Sequence, residues 1–157
     1  SDGPHTVTAT QEDPAGNTSA ASAPVSFTVD TRAPAAPVIS GPADGSSTSD
    51  ATPMVSGTGE PGASVTVTEG ASTVCTATVS VGGAWSCTPA VPLAEGPHTV
   101  TATQADEAGN VSPASTPVSF TVDTTAPAAP VITGPADGST TSDATPTISG
   151  TGEPGAS

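Results

Sequence analysis

Apolar and hydroxyl side chains alternate through several short stretches of this chain. In SVTVT at 64–68, Val65 and Val67 fall on one face and Thr66 and Thr68 on the other, the period of two that marks a half-buried strand. TVCTATVSV at 73–81 places Cys75, Ala77, Val79 and Val81 together. HTVTATQ at 98–104 sets Val100 and Ala102 against Thr99, Thr101 and Thr103, and PVSFTVD at 117–123 turns Val118, Phe120 and Val122 inward. APVIS at 36–40, TPMVSGT at 52–58 and AWSCT at 84–88 complete seven expected strands. The segments between them, GPADGSSTSD, GEPG, EGAS, GG, PLAEGP and DEAGN, are rich in turn formers. Short strands with a turn about every ten residues predict an all-β fold, an antiparallel two-sheet sandwich.

The pattern repeats. GPHTVTATQ occurs at 3–11 and 96–104, and APAAPVI at 33–39 and 126–132, so both recur after 93 residues. That period exceeds the roughly 33–47 residues of helical solenoid repeats and suits one small β-domain of about 100 residues. The expected organisation is the C-terminal part of one repeat at 1–32, a complete repeat at 33–125 and the N-terminal part of another at 126–157.

Composition narrows the chemistry. Eighteen Pro and 17 Gly disfavour long helices. Fifteen acidic side chains against one basic one, Arg32, give a net charge of −14, which excludes nucleic acid and anionic membrane surfaces as electrostatic partners. No apolar run is long enough for a membrane-spanning helix. Large core residues are few in each repeat, with Trp85, Phe120 and Leu93 the bulkiest of the complete one, so bracing is expected.

Cys75 and Cys87 supply a brace if they pair. Both have inward parity on consecutive strands around Gly82-Gly83. A turn with an odd number of residues would set them opposite each other, and a bridge closing so short a loop contributes about 3 kcal/mol. A strict two-residue Gly-Gly turn would instead put Thr78 opposite Cys87 and leave two buried thiols. A disulfide implies an oxidising compartment; the spacing suits no zinc site.

Nothing in the chain reads as an enzyme. No Ser-His-Asp or Cys-His set is present, and no Gly-rich loop opens a helix for phosphate. His5 and His98 occupy one repeat position, at the rim of the core by parity. The absence of lysine rules out Lys-Asn crosslinks. With no Tyr and a single Trp of inward parity, aromatic platforms for sugars are lacking, and the Thr-rich strand faces read as ordinary solvent-facing positions.

Calcium is the ligand candidate, since it takes six to eight oxygens from carboxylates, amides and backbone. Following strand direction, GEPG, the Gly-Gly turn and DEAGN fall at the end that receives the incoming linker. One junction set is Asp30, Glu60, Asp106, Glu107 and Asn110, and at the next junction Asp123 with Glu153. The alternative is that Asp and Asn serve only as turn residues, with like charges keeping domains apart. DPAGN at 13–17 repeats DEAGN with Pro14 in place of Glu107, so a general site could use only Asp106, Asn110 and neighbours across the junction.

PAAPVISGPADGSSTSDATPMVSGTGEPGASVTVTEG, then AWSCTPAVPLAEGPHTVTATQADEAGNVSPASTPVSFTVDTTAP, resembles the bacterial immunoglobulin-like (Big) tandem repeats of large surface adhesins and biofilm-associated proteins. The resemblance spans the chain and lies in the GEPGASVTV, LAEGPHTVTAT, DEAGN and VDTTAP segments. It implies tandem Ig-like sandwiches on the bacterial cell surface, acting as an extender stalk whose partners are neighbouring repeats of the same chain. It also implies calcium at the domain junctions of some members. A self-assembling extracellular filament built by strand addition and a glycan-binding module are the rival readings.

Overall fold

The computed structural model describes residues 1–155, and every regular element among them is a strand. The chain divides into two compact units, one of residues 1–123 and one starting at Thr124. The first unit opens with a hairpin of β1 (Gly3–Val7) and β2 (Val25–Val29), paired antiparallel from Gly3↔Val29 to Val7↔Val25. A sandwich follows. Its larger sheet has the order β4 (Ser46–Thr48), β10 (Val118–Val122), β9 (Gly96–Ala105), β6 (Ser64–Glu69), β7 (Ser72–Thr78). Its smaller sheet has the order β3 (Val38–Gly41), β5 (Val55–Thr58), β8 (Ala84–Cys87).

The inward positions of the alternating stretches make the core. Val55, Val65, Val67, Val100 and Val122 are fully buried, and Trp85 and Phe120 nearly so. Each buried Val or Phe contributes about 1.5–3 kcal/mol relative to exposure, which is the main reason the Thr-rich face lies outward. Trp85 fits because its cross-strand partner on β5 is Gly57: a Cβ there would fall 2.7 Å from the indole Cζ2 and also collide with the carbonyl of Val38.

Three expectations change. The complete repeat has eight strands, and β4 pairs parallel with β10 (Phe120↔Ser46, Val122↔Thr48). Ser46-Ser47-Thr48 carries no apolar residue, so its pattern is that of a turn; its pairing partner, 70 residues and more away, makes it a strand. The first strand of the repeat thus changes sheets, β3 joining the smaller sheet and β4 the larger. Second, β7 stops at Thr78, and Val81, expected inward, is 98% exposed. The chain turns at 80–84, where Ser80 N donates to Ala84 O at 2.8 Å and Gly83 N to Ser80 O at 2.9 Å.

Third, β7 and β8 do not form a hairpin ladder. They are edge strands of different sheets, so Cys75 and Cys87 pair across the open seam of the sandwich and not within one sheet. The disulfide forms, with the two Cα atoms 5.9 Å apart, because the 80–84 turn carries the chain over to the second sheet.

The unit beginning at Thr124 contains β11 (Val131–Gly134) and β12 (Ser149–Thr151), antiparallel with a register shift at Ile132/Gly134. The shift at Ile39/Gly41 between β3 and β5 is its counterpart 93 residues earlier.

Candidate functional site at the repeat junction

One end of the sandwich receives the linker that follows β2. Three loops build that end: 59–62 between β5 and β6, 80–84 between β7 and β8, and 106–110 after β9. Gly59 N donates to Gly83 O at 2.9 Å and Gly62 N to Val79 O at 3.0 Å, which fastens the first loop to the second.

The third loop is closed by its own residues. Asp106 N donates to Asn110 O at 3.1 Å and Gly109 N to Asp106 O at 3.1 Å. The Asp106 carboxylate accepts Asn110 N at 2.8 Å on Oδ1 and Asn110 Nδ2 at 2.9 Å on Oδ2. Gly109 has φ 89°, a conformation that a glycine takes at no steric cost. The Asn110 side-chain bond, followed by backbone donors, holds the Asp106 carboxyl below the usual Asp pKa, as donors to a carboxylate do. Asp13 and Asn17 repeat the arrangement with bonds of 2.9 Å from both Asn17 nitrogens, and the Asp13 pKa is lowered by the same cause. Pro14 stands there where Glu107 stands in the second copy, so the loop does not depend on Glu107.

The linker lies against this end. Pro34 and Pro37 are buried, and two amide side chains hold linker carbonyls. Asn110 Nδ2 donates to Asp30 O at 3.1 Å. Gln104, 2% exposed on β9, donates through Nε2 to Ala35 O at 2.8 Å and accepts Glu60 N on Oε1 at 3.0 Å. Gln104 was not among the residues expected to act at the junction. A long polar amide at an inward position of an alternating strand, repeated as Gln11, was the available signal.

Of the residues considered for calcium, Asp30, Glu60, Asp106 and Glu107 line a single open cleft of about 760 Å³, and Asn110 belongs to the same loop as Asp106. Among the described residues, no three His, Cys, Asp or Glu side chains converge as a metal site. Asp106 is already turned onto Asn110. Asp123 ends the first unit, its N donating to Thr48 O at 2.9 Å, and Glu153 is exposed in the second.

The opposite end of the sandwich holds the other acids in separate roles. Asp44 Oδ1 accepts Ser119 N at 2.9 Å, Asp50 Oδ1 accepts Thr52 N at 2.8 Å, and Glu69 pairs with His98. His98 is therefore a buried partner within the domain.

The model of the family described as "Bacterial Ig-like domain" matches residues 35–124. Among solved structures, one titled "Biofilm associated protein - BSP domain" is similar at 24% identity over 80% of this chain and 20% of that one, with a TM-score of 0.46. A second, titled "Crystal structure of tetra-tandem repeat in extending region of large adhesion protein", is similar at 30% identity over 84% of this chain and 34% of that one, also with a TM-score of 0.46. The chain thus spans a fifth to a third of the length of these two chains. No curated protein matches it. The eight-strand sandwich of the complete repeat and the family match over 35–124 together make the chain a member of the bacterial Ig-like domain family.

Proposed function

We propose that this chain is part of an extender stalk in an exported bacterial surface adhesin, in which residues 1–32, 33–125 and 126–157 belong to three consecutive repeats. The observation that carries this reading is a 93-residue repeat whose connecting segment is packed onto the next domain through Pro34 and Pro37. A proline-rich connection is semi-rigid by itself, and burying it removes further freedom. Sandwiches joined in this way propagate length. Strands of three to ten residues with their loops make each repeat roughly 30–40 Å long, so the array spaces an adhesive part from the cell.

The acidic surface supports a spacer role through solubility and mutual repulsion. The disulfide supports an oxidising, extracytoplasmic location. No catalytic role is assigned: His98 and Glu69 bind each other, and Asp44, Asp50 and Asp106 bond backbone of strands or turns.

The test removes or adds whole 93-residue units in the intact surface protein. The expected result is a change in reach of roughly 30–40 Å per unit, read by electron microscopy of cell-surface fibres, with target binding retained by the purified protein. Specific binding of glycans by the repeats alone would establish the glycan-module reading instead. Fibres that lengthen with protein concentration would establish the filament reading.

A further inference from the structure

The linker is gripped from two sides by side-chain amides of the sandwich. Asn110 reaches Asp30 O across 80 residues of sequence, and Gln104 reaches Ala35 O across 69. Each amide is itself held by a second bond, Asn110 by the Asp106 carboxylate and Gln104 by Glu60 N. Both therefore arrive oriented and lose little conformational freedom when they bind the linker, which is where preorganisation gains its advantage. Their positions in the complete repeat, Gln104 and Asn110, recur as Gln11 and Asn17. The gripped linker positions, Asp30 and Ala35, recur as Asp123 and Ala128.

We infer that Asn110 and Gln104 set the posture of each repeat on its predecessor by holding the linker backbone, without a metal ion. Asp106 acts one step back, as a positioning residue: its carboxylate aims the Asn110 amide at Asp30 O. This assigns to the invariant part of the loop, Asp and Asn in both DPAGN and DEAGN, a role that Glu107 does not share. Because the linker contributes backbone carbonyls, the Arg32 to Thr125 difference between the two linkers leaves the grip unchanged. The inference deepens the stalk reading, yet its experiment reads geometry and not adhesion, so either can fail alone.

The experiment measures residual dipolar couplings of the backbone amides in β1–β2 and in β5–β10 on the oxidised 157-residue chain, in millimolar calcium and in excess chelator. The expected result is one alignment tensor for both groups of strands in both solutions. In Asn110→Ala combined with Gln104→Glu, which keeps the acceptor for Glu60 N and removes the donor to Ala35 O, the order of β1–β2 should fall at least two-fold. The resonances of 33–123 should keep their dispersion. If the Gln104 change prevents folding, Asn110→Ala alone decides, with lowered β1–β2 order supporting the inference and unchanged order overturning it. Loss of the common tensor on adding chelator to the unaltered chain would also overturn it.

Discussion

His98 and Glu69 form an ion pair across β9 and β6. His98 Nδ1 lies 3.1 and 3.0 Å from the two Glu69 carboxylate oxygens, and its Nε2 lies 2.9 Å from Ala94 O. A carboxylate and a carbonyl both accept, so both ring nitrogens donate when the ring is protonated, and these contacts favour the imidazolium form. The Ala94 bond, then Glu69, raises the His98 pKa above its usual value. A raised folded-state pKa stabilises fully below the unfolded value of about 6.5, and the contribution is lost as pH rises through the folded value. His98→Gln should cost about 2 kcal/mol at pH 5.5, the scale of hydrogen bonds to charged groups. The gap in melting temperature between the two proteins should then narrow as pH rises above about 6.5. A gap independent of pH would show that the ring is neutral throughout.

The Cys75–Cys87 bridge spans the seam where the edge strands of the two sheets face each other without a ladder. The loop it closes has a sequence separation of 12, for which chain entropy predicts about 3 kcal/mol. Cys75→Ser with Cys87→Ser should therefore lower the melting temperature by on the order of 10–20 °C in a domain of this size. Calorimetry of the oxidised protein, the reduced protein and the double variant should place the last two together.

The sequence made these features legible to different depths. Alternation located the ladder-forming strands, because a period of two is a local property: Val65, Val67, Val100, Phe120 and Val122 are all buried. The cysteine pair was visible through parity, although which sheet each strand joins was not. Sheet assignment depends on where the 80–84 turn sends the chain, and Gly82-Gly83 permits either outcome. Strand β4 was invisible because Ser46-Ser47-Thr48 is a strand only by virtue of its partner on β10. At the junction, the acids drew attention as charges, whereas the groups that reach the linker are two neutral amides. An acid in a turn that bonds its own loop looks the same in sequence as one free to bind a cation.

Gly57 admits Trp85 to the core. A Cβ at Gly57 would meet Val38 O and would approach indole carbons at 2.7 and 2.9 Å, and the obstacle on one side is backbone, which yields less readily than a side-chain tip. Gly57→Ala should destabilise the domain by about 1–3 kcal/mol, the usual range for overpacking. Denaturant unfolding followed by Trp85 fluorescence measures it, because Trp85 is the only indole in the chain. A change within experimental error would mean that β3 and β5 separate without cost.

β4, the second strand of the complete repeat, and β10, its last, lie side by side and parallel. A pull on the two ends of the repeat, once it has passed β3 to β4, therefore shears their bonds together instead of opening them one after another. Gly45 N donates to Ser119 O at 2.7 Å and Asp123 N to Thr48 O at 2.9 Å, and Asp44 Oδ1 accepts Ser119 N at 2.9 Å. Asp44→Ala removes the side-chain member of this set, at a cost of about 1 kcal/mol. In single-molecule stretching of the tandem array it should lower the unfolding force while leaving the length released per event unchanged. Cys75→Ser with Cys87→Ser should instead change the length, adding roughly 35 Å to each event, because the 12-residue separation extends at about 3.3–3.6 Å per residue where the bridge spans only 5.9 Å. If the Asp44 variant unfolds at the unaltered force, the load path does not run through β4 and β10.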